Sequence, residues 1–430
     1  MTTRPIAFDL TRLVTRLRHP SPSGIDRVDL AYARHVLDGA GQRFGLVSTA
    51  LGPRVLGRAE AAGIVEAVAV GWTEDVAAGE DPVYRRLEAR LAGRPAEAAA
   101  GRTSGRTGVL RRRRIQAAAV LGALRAASVA ALPRGSLYVH TSHLRLDRPE
   151  RFDWLYARAD VKPVFFVHDL IPITHPEYGR PGEAERHAVR MRTIGRHAAA
   201  IVANSADTGA RTLRRLAADG FGRPPLAVGH LGVEAAFGRA GPRLTPERPT
   251  FLVCGTIEPR KNHLLLLHLW RALAERHGPA TPRLVLVGRR GWEAENIVDM
   301  LERCAAIRDH VVEVSGLSTH GLAALTRSCT ALLMPSFAEG YGIPIVEAAA
   351  SGVPVVASAI AVHREISGGF AHLLDPLDGL GWMRAVEDLS RPASQLRADL
   401  AARLDGYAAP TWAAHFAAVD ALLAEIRTEI

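Results

Sequence analysis

Cysteine is scarce. Cys254, Cys304 and Cys329 are too few and too scattered among 430 residues for a disulfide framework or a zinc site. A reducing cytoplasm is the simplest home for such a chain. Long apolar runs are missing as well. The opening MTTRPIAFDL lacks the apolar core of a signal peptide and reads as a first strand. The Ala-rich stretch 115–132 carries Arg125 and is too short and too charged to span a bilayer. Acidic residues are outnumbered: 54 Lys and Arg against 44 Asp and Glu leave a net charge of +10, almost all of it on arginine. That balance suits nucleic acid, an anionic membrane surface or anionic substrates. For the average, the base composition of the genome is the favoured explanation. No aromatic-rich sheet motif or zinc-finger spacing appears, so no nucleic acid is expected as a partner. No Asp-x-Asp stands beside a glycine-bearing strand end, so neither a bound metal nor a cofactor is expected.

What is present is alternation. Hydrophobic content of 48% over 430 residues is enough for two domains, each with its own core. Short apolar runs read as buried strands at Ile6–Leu10, Leu137–His140, Pro163–Val167, Ala199–Ala203, Thr250–Cys254, Leu284–Gly288, Val311–Gly316 and Ala331–Pro335. Helical patterns separate them and no internal repeat is evident, which predicts α/β architecture with two parallel sheets facing each other. Composition shifts in the Pro-, Gly- and Arg-rich stretch Gly238–Pro249, which places the domain boundary there. Residues 1–240 form the first domain, 241–408 the second, and the amphipathic pattern of 409–430 a final helix. The segment GRTSGRTGVLRRRR at 101–114 reads as a flexible basic loop before a surface helix; contact with an anionic lipid surface stays open.

The chemistry concentrates in Phe337–Ser358. A glycine-spaced loop, Gly340-Tyr341-Gly342, runs through Ile343 and Pro344 into a helix Ile345–Ala350, which Gly352 ends. Such a helix start offers free N–H groups to an anion, most often phosphate. Glu339 precedes it and Glu347 lies within about its first turn, where a carboxylate can accept hydrogen bonds from vicinal hydroxyls. Taken singly, each acid is as well explained by dipole decoration or loop solvation. Arg260-Lys261 follow the glycine turn after Thr250–Cys254, where a helix dipole disfavours decorative cations; a forked guanidinium and an ammonium suit a diphosphate. In the first domain, Gly24 sits in a loop between strand and helix, beside Arg27, for which salt-bridge duty is the plainer role. His168 ends a buried strand, where α/β domains keep their ligands.

Glu339 and Glu347, eight apart around Gly-Tyr-Gly-Ile-Pro, together with Gly352, Pro354 and Ser358, resemble the signature of the retaining glycosyltransferases of family 4. The resemblance implies the GT-B fold: two Rossmann-like parallel-sheet domains facing a central cleft, with the last helix crossing back to the first domain. It implies Glu339 beside the donor sugar, Glu347 on the nucleotide ribose, Arg260 and Lys261 on the donor phosphates, and the Gly24 loop facing the donor. His168, in the phrase VHDLIPITHPEY, then lies near the sugar, with Asp169 supporting the loop and His175 and Tyr178 on the acceptor side. Glu-Pro-Arg-Lys-Asn-His, Gly-Arg-Arg-Gly-Trp and His-Asp-Leu-Ile-Pro-Ile are similar to bacterial mannosyltransferases of O-antigen or capsule synthesis, which points to GDP-mannose as donor and a glycan or lipid-linked acceptor. Two other readings stand beside this one: a nucleotide-sugar epimerase of the same fold, and a non-catalytic peripheral membrane adaptor. A hydrolase pair is disfavoured, because such carboxylates flank one bond from separate elements roughly 5–9.5 Å apart.

Overall fold

The computed structural model describes residues 4–17, 22–72, 76–94, 116–117, 119, 121–122 and 124–426. Strands β1 (Ile6–Asp9), β2 (Arg43–Thr49), β3 (Gly52–Leu56), β4 (Ala127–Ser128), β5 (Leu137–His140), β6 (Lys162–Val167), β7 (Ala200–Ala203) and β8 (Leu226–Val228) form one sheet, ordered β4-β3-β2-β1-β5-β6-β7-β8. Strands β9 (Thr250–Cys254), β10 (Arg283–Val287), β11 (Val311–Val314), β12 (Ala331–Met334), β13 (Val355–Ser358) and β14 (His372–Leu374) form a second, ordered β11-β10-β9-β12-β13-β14. The central strands are buried at nearly every position and need covering on both faces, as parallel sheets do.

The first sheet departs from the expected all-parallel pattern. β3 pairs antiparallel with β2, and β4 antiparallel with β3. The cause is local: Gly52 takes φ +93° in the tight turn after Thr49, whose hydroxyl donates to the Gly52 carbonyl at 2.7 Å. The two antiparallel strands sit at the edge and leave the parallel centre intact. Part of the Ala-rich stretch is helical where described, but Ala127–Ser128 joins the sheet and ends it; the basic stretch 101–114 lies outside the described residues.

Eight helices matter below: α1 (Thr11–Arg16), α2 (Gly24–Asp38), α3 (Ala206–Ala218), α4 (His263–His277), α5 (Thr319–Ser328), α6 (Ile343–Ala350), α7 (Ala361–Ser367) and α8 (Trp412–Glu425). α8 packs on the first sheet: the Tyr32 hydroxyl lies 2.7 Å from His415 Nε2, and His35 Nε2 lies 3.2 Å from Asp420. Among the described residues no helix is long and apolar enough to cross a membrane.

Candidate active site

The two sheets meet through the loops after β6 and β12. A Cβ on Gly340 would stand 2.4 Å from the His168 carbonyl and 2.9 Å from Asp169 Cβ, so only glycine lets the loops touch. The Gly340 carbonyl accepts from Ser205 Oγ at 3.1 Å and Thr208 Oγ1 at 3.2 Å. Ser205 also caps α3 by accepting from the Thr208 amide at 3.1 Å. Glu365 of α7 reaches across to the same helix start, accepting from the Ala206 and Asp207 amides at 2.7 and 3.2 Å, with His230 Nε2 at 3.0 Å. Sequence spacing gave no hint of the contacts to Gly340 and Glu365, because each joins residues more than 130 positions apart.

Glu339 lies at the centre. Its Oε2 accepts from Arg260 Nη1 at 2.7 Å and its Oε1 from Lys261 Nζ at 2.5 Å, with 6% of the side chain exposed. Arg260 also donates to the Ala338 carbonyl at 2.9 Å, while Glu258 Oε1 lies 2.6 Å from its Nε. Burial alone would raise the Glu339 carboxyl, but the Arg260 and Lys261 charges outweigh it and hold the group well below the ordinary carboxylate range. Burial pulls Lys261 the other way, below the ordinary ammonium value, against the pull of Glu339. Both cations reach their places for local reasons. Asn262 takes φ +56° and ends the short 3₁₀ turn Pro259–Lys261 before α4. Gly255, at φ +142°, leaves room for Lys261, whose Cε would lie 3.2 Å from a Cβ there.

Gly342 starts α6 from φ +111°, with Ile343 and Pro344 in its first turn, so the helix begins two residues earlier than its apolar run suggests. Glu347 is therefore in the second turn, buried, and 3.3 Å from Arg27 Nη1 of α2. Arg27 is in an ion pair, as the plainer reading had it, but one that bridges the two sheets. Gly24 is not in an open loop. Ser23 and Asp26 form a capping box, so α2 starts at Gly24, and a Cβ there would lie 3.3 Å from Ile343 Cδ1. The Tyr341 side chain turns elsewhere. Its hydroxyl donates to the Leu231 carbonyl at 3.4 Å, and it lines a cavity of about 570 Å³ with His230, Glu365, Phe370 and Tyr407. None of Arg260, Lys261, Glu339 or Glu347 lines that cavity, so size does not mark the site.

His168 is buried, and its Nε2 lies 2.6 Å from the Thr141 carbonyl. A carbonyl only accepts, so Nε2 carries the proton and Nδ1 is left as an acceptor. Burial lowers its pKa to about 4, so the ring is neutral near pH 7. Asp169 Oδ1 accepts from the Ile171 amide at 3.1 Å and so holds its own loop. Tyr178 stacks on Phe337 at 5.6 Å, and its carbonyl accepts from Trp292 Nε1 at 3.0 Å; His175 stacks on Tyr178 at 6.0 Å.

Sequence reasoning missed a set of buried polar atoms around this centre. Glu258 Oε2, His263 Nδ1, Ser336 Oγ and His363 Nε2 have no hydrogen-bond partner, and Glu258 Oε1 has only its ion-pair contact with Arg260. His363 Nδ1 lies 3.1 Å from the Ser358 carbonyl, and a Cβ on Gly342 would meet its ring at 3.4 Å. The signal was available, since His363 follows the carboxyl end of β13 by five residues. Orphaned buried polar atoms beside two cations are what a polar ligand would satisfy. Among the described residues, no group of three His, Cys, Asp or Glu is placed to hold a metal ion.

Two facing α/β sheets, with the cations and a helix start at the strand ends between them, are the GT-B architecture. Solved structures share it over almost the whole chain. Anabaena Alr3699/HepE in complex with UDP and glucose superposes with a TM-score of 0.62 at 15% identity, covering 98% of this chain and 99% of that one. Sucrose-phosphate synthase from Thermosynechococcus elongatus gives 0.62 at 17% identity, with the same coverage. More particularly, residues 248–391 match the family described as "Glycosyl transferases group 1". Among curated relatives, the Escherichia coli serotype-specific mannosyltransferase WbdA is 26% identical over 246 residues, 53% of this chain and 29% of that protein. The Escherichia coli O-antigen chain mannosyltransferase B is 36% identical over 128 residues, 30% of this chain and 33% of that one. The matched stretches span about a third of the length of these relatives.

Proposed function

We propose that the chain is a retaining glycosyltransferase that moves a hexose from a nucleotide sugar to a hydroxyl of a glycan or lipid-linked acceptor, without a bound metal ion. One observation carries the reading: Arg260 and Lys261 converge on Glu339 at the start of α6, against the His168 loop. A donor diphosphate there takes over the two cations and the Gly342 and Ile343 amides at the helix start, which stabilise the charge left on departure. Glu347, displaced from Arg27, accepts from the ribose hydroxyls. Glu339 stays ionised at neutral pH, so it acts as a hydroxyl acceptor and electrostatic stabiliser rather than as a proton donor. His168 accepts a sugar hydroxyl at Nδ1. The acceptor oxygen bonds to the anomeric carbon on the face from which the phosphate leaves, and its proton passes to a phosphate oxygen, which preserves the anomeric configuration.

The mannosyltransferase relatives favour mannose, carried as GDP-mannose, although structural neighbours are described with UDP. Incubation with GDP-mannose, UDP-glucose and UDP-N-acetylglucosamine, followed by release of free diphosphate, tests both points. GDP release from GDP-mannose is expected. Turnover of a UDP sugar alone overturns the mannose assignment. If no donor is bound or turned over, the chain is an adaptor and not an enzyme.

A further inference from the structure

Beneath the His168 loop lies a buried polar cluster that the transfer chemistry leaves unused. Asp9 ends β1 and His140 ends β5; α2 contributes Asp26 and Asp29, and α1 contributes Arg12. The Tyr138 hydroxyl donates to Asp9 at 2.7 Å, with His140 Nδ1 3.0 Å from that hydroxyl. Arg12 Nε donates to Asp26 Oδ1 at 2.7 Å and stands 3.6 Å from Asp29 Oδ2, which has no hydrogen-bond partner. Asp29 Oδ1 accepts from the Thr141 hydroxyl at 2.8 Å. The carbonyl of that same Thr141 accepts the Nε2 proton of His168 at 2.6 Å.

We propose that Asp29 is a positioning residue for His168: its carboxylate pins Thr141, and Thr141 fixes the imidazole tautomer that presents Nδ1 as an acceptor. The link is continuous, Asp29 to Thr141 side chain, Thr141 carbonyl to His168, and each member is buried. It rests on the glycosyl-transfer reading for what His168 does with that nitrogen. The groups facing Asp29 are Arg12 from α1, Asp26 from its own helix, and His140 and Thr141 from the end of β5. Burial, only partly offset by Arg12 and the Thr141 hydroxyl, pushes the Asp29 carboxyl up to about 7. The ionised form accepts the Thr141 hydroxyl more strongly. Turnover therefore rises with pH through the neutral range.

The test uses the full chain with its best donor and the variants Asp29→Asn, Thr141→Val and His168→Ala. Asp29→Asn is expected to lower kcat about tenfold, the size of one lost charged hydrogen bond, with donor KM changed by less than about twofold. It should also abolish the limb of the pH profile near 7 and shift the imidazole ¹⁵N resonances of His168 towards a mixture of tautomers. Thr141→Val removes the hydroxyl but keeps the carbonyl, and should reproduce the spectral change; it decides the matter if Asp29→Asn does not fold. An unchanged His168 spectrum and pH limb in both variants, with His168→Ala impaired, overturns the proposal. Wild-type turnover in His168→Ala refutes instead the sugar-binding role of His168, while the spectra still judge the Asp29 link.

Discussion

Replacing Glu339 by Gln keeps the shape of the side chain and removes its charge. In the native protein that charge faces Arg260 at 2.7 Å and Lys261 at 2.5 Å, with 6% of the Glu339 side chain exposed. The variant leaves the buried Lys261 and the half-buried Arg260 with Glu258, 2.6 Å from Arg260, as the remaining nearby counter-charge. Removing one partner from a buried ion pair costs about 3–5 kcal/mol; because Glu258 persists, we expect about 3 kcal/mol. At about 2–4 °C per kcal/mol for a unit of ordinary domain size, the melting transition should fall by roughly 6–12 °C. GDP should then restore more stability to the variant than to the native protein, because its diphosphate supplies the missing negative charge. The pH dependence has a definite sign. Glu339 titrates below its unfolded value of about 4.3, so its contribution is complete above that pH and drains away as the solution is acidified further. Glu339→Gln should lack this acid limb. Thermal unfolding with and without GDP, from about pH 2 to 8, measures all three effects. A native-like melting temperature together with an unchanged GDP response refutes the clamp.

Glu347→Ala should weaken nucleotide binding by about 1.5–3 kcal/mol, roughly ten- to a hundredfold by calorimetry, as expected for lost hydrogen bonds to a charged group; unchanged affinity contradicts the ribose role. His168→Ala should impair turnover while donor affinity, measured by titration, stays near native; equal rates would remove it from the chemistry. Gly340→Ala places a methyl 2.4 Å from the His168 carbonyl, so the two loops must part. We expect a folded protein with strongly reduced kcat, and native kcat would show that the loops need not touch.

Local signals were legible because they are contiguous. The loop, helix and strand of 337–358 are built from neighbours, and so are the glycine turn and cation pair at 255–261. Ser23 and Asp26 also form a local device, yet the glycine between them drew attention to a loop and away from the capping box. Pairings across the sheets were not legible. Arg27 and Glu347 stand 320 positions apart, and no spacing rule connects them. Burial is collective too, so the orphaned atoms of Glu258, His263 and His363 became visible only once the surrounding chain closed over them. The β2–β3 hairpin was missed because its turn, Thr49 to Gly52, lacks the usual Asn-Gly or Asp-Gly signature.

The placement of α8 against the first sheet has a mechanical consequence. Among the described residues the polypeptide passes between the halves near Gly238–Pro249 and again between Tyr407 and Trp412, where the Val233 amide donates to the Pro410 carbonyl at 3.0 Å. A single tether would let one half swivel freely about it. Two tethers pinned side by side oppose torsion of one half about the other, which keeps Arg27 in register with Glu347 and Glu365 with the start of α3.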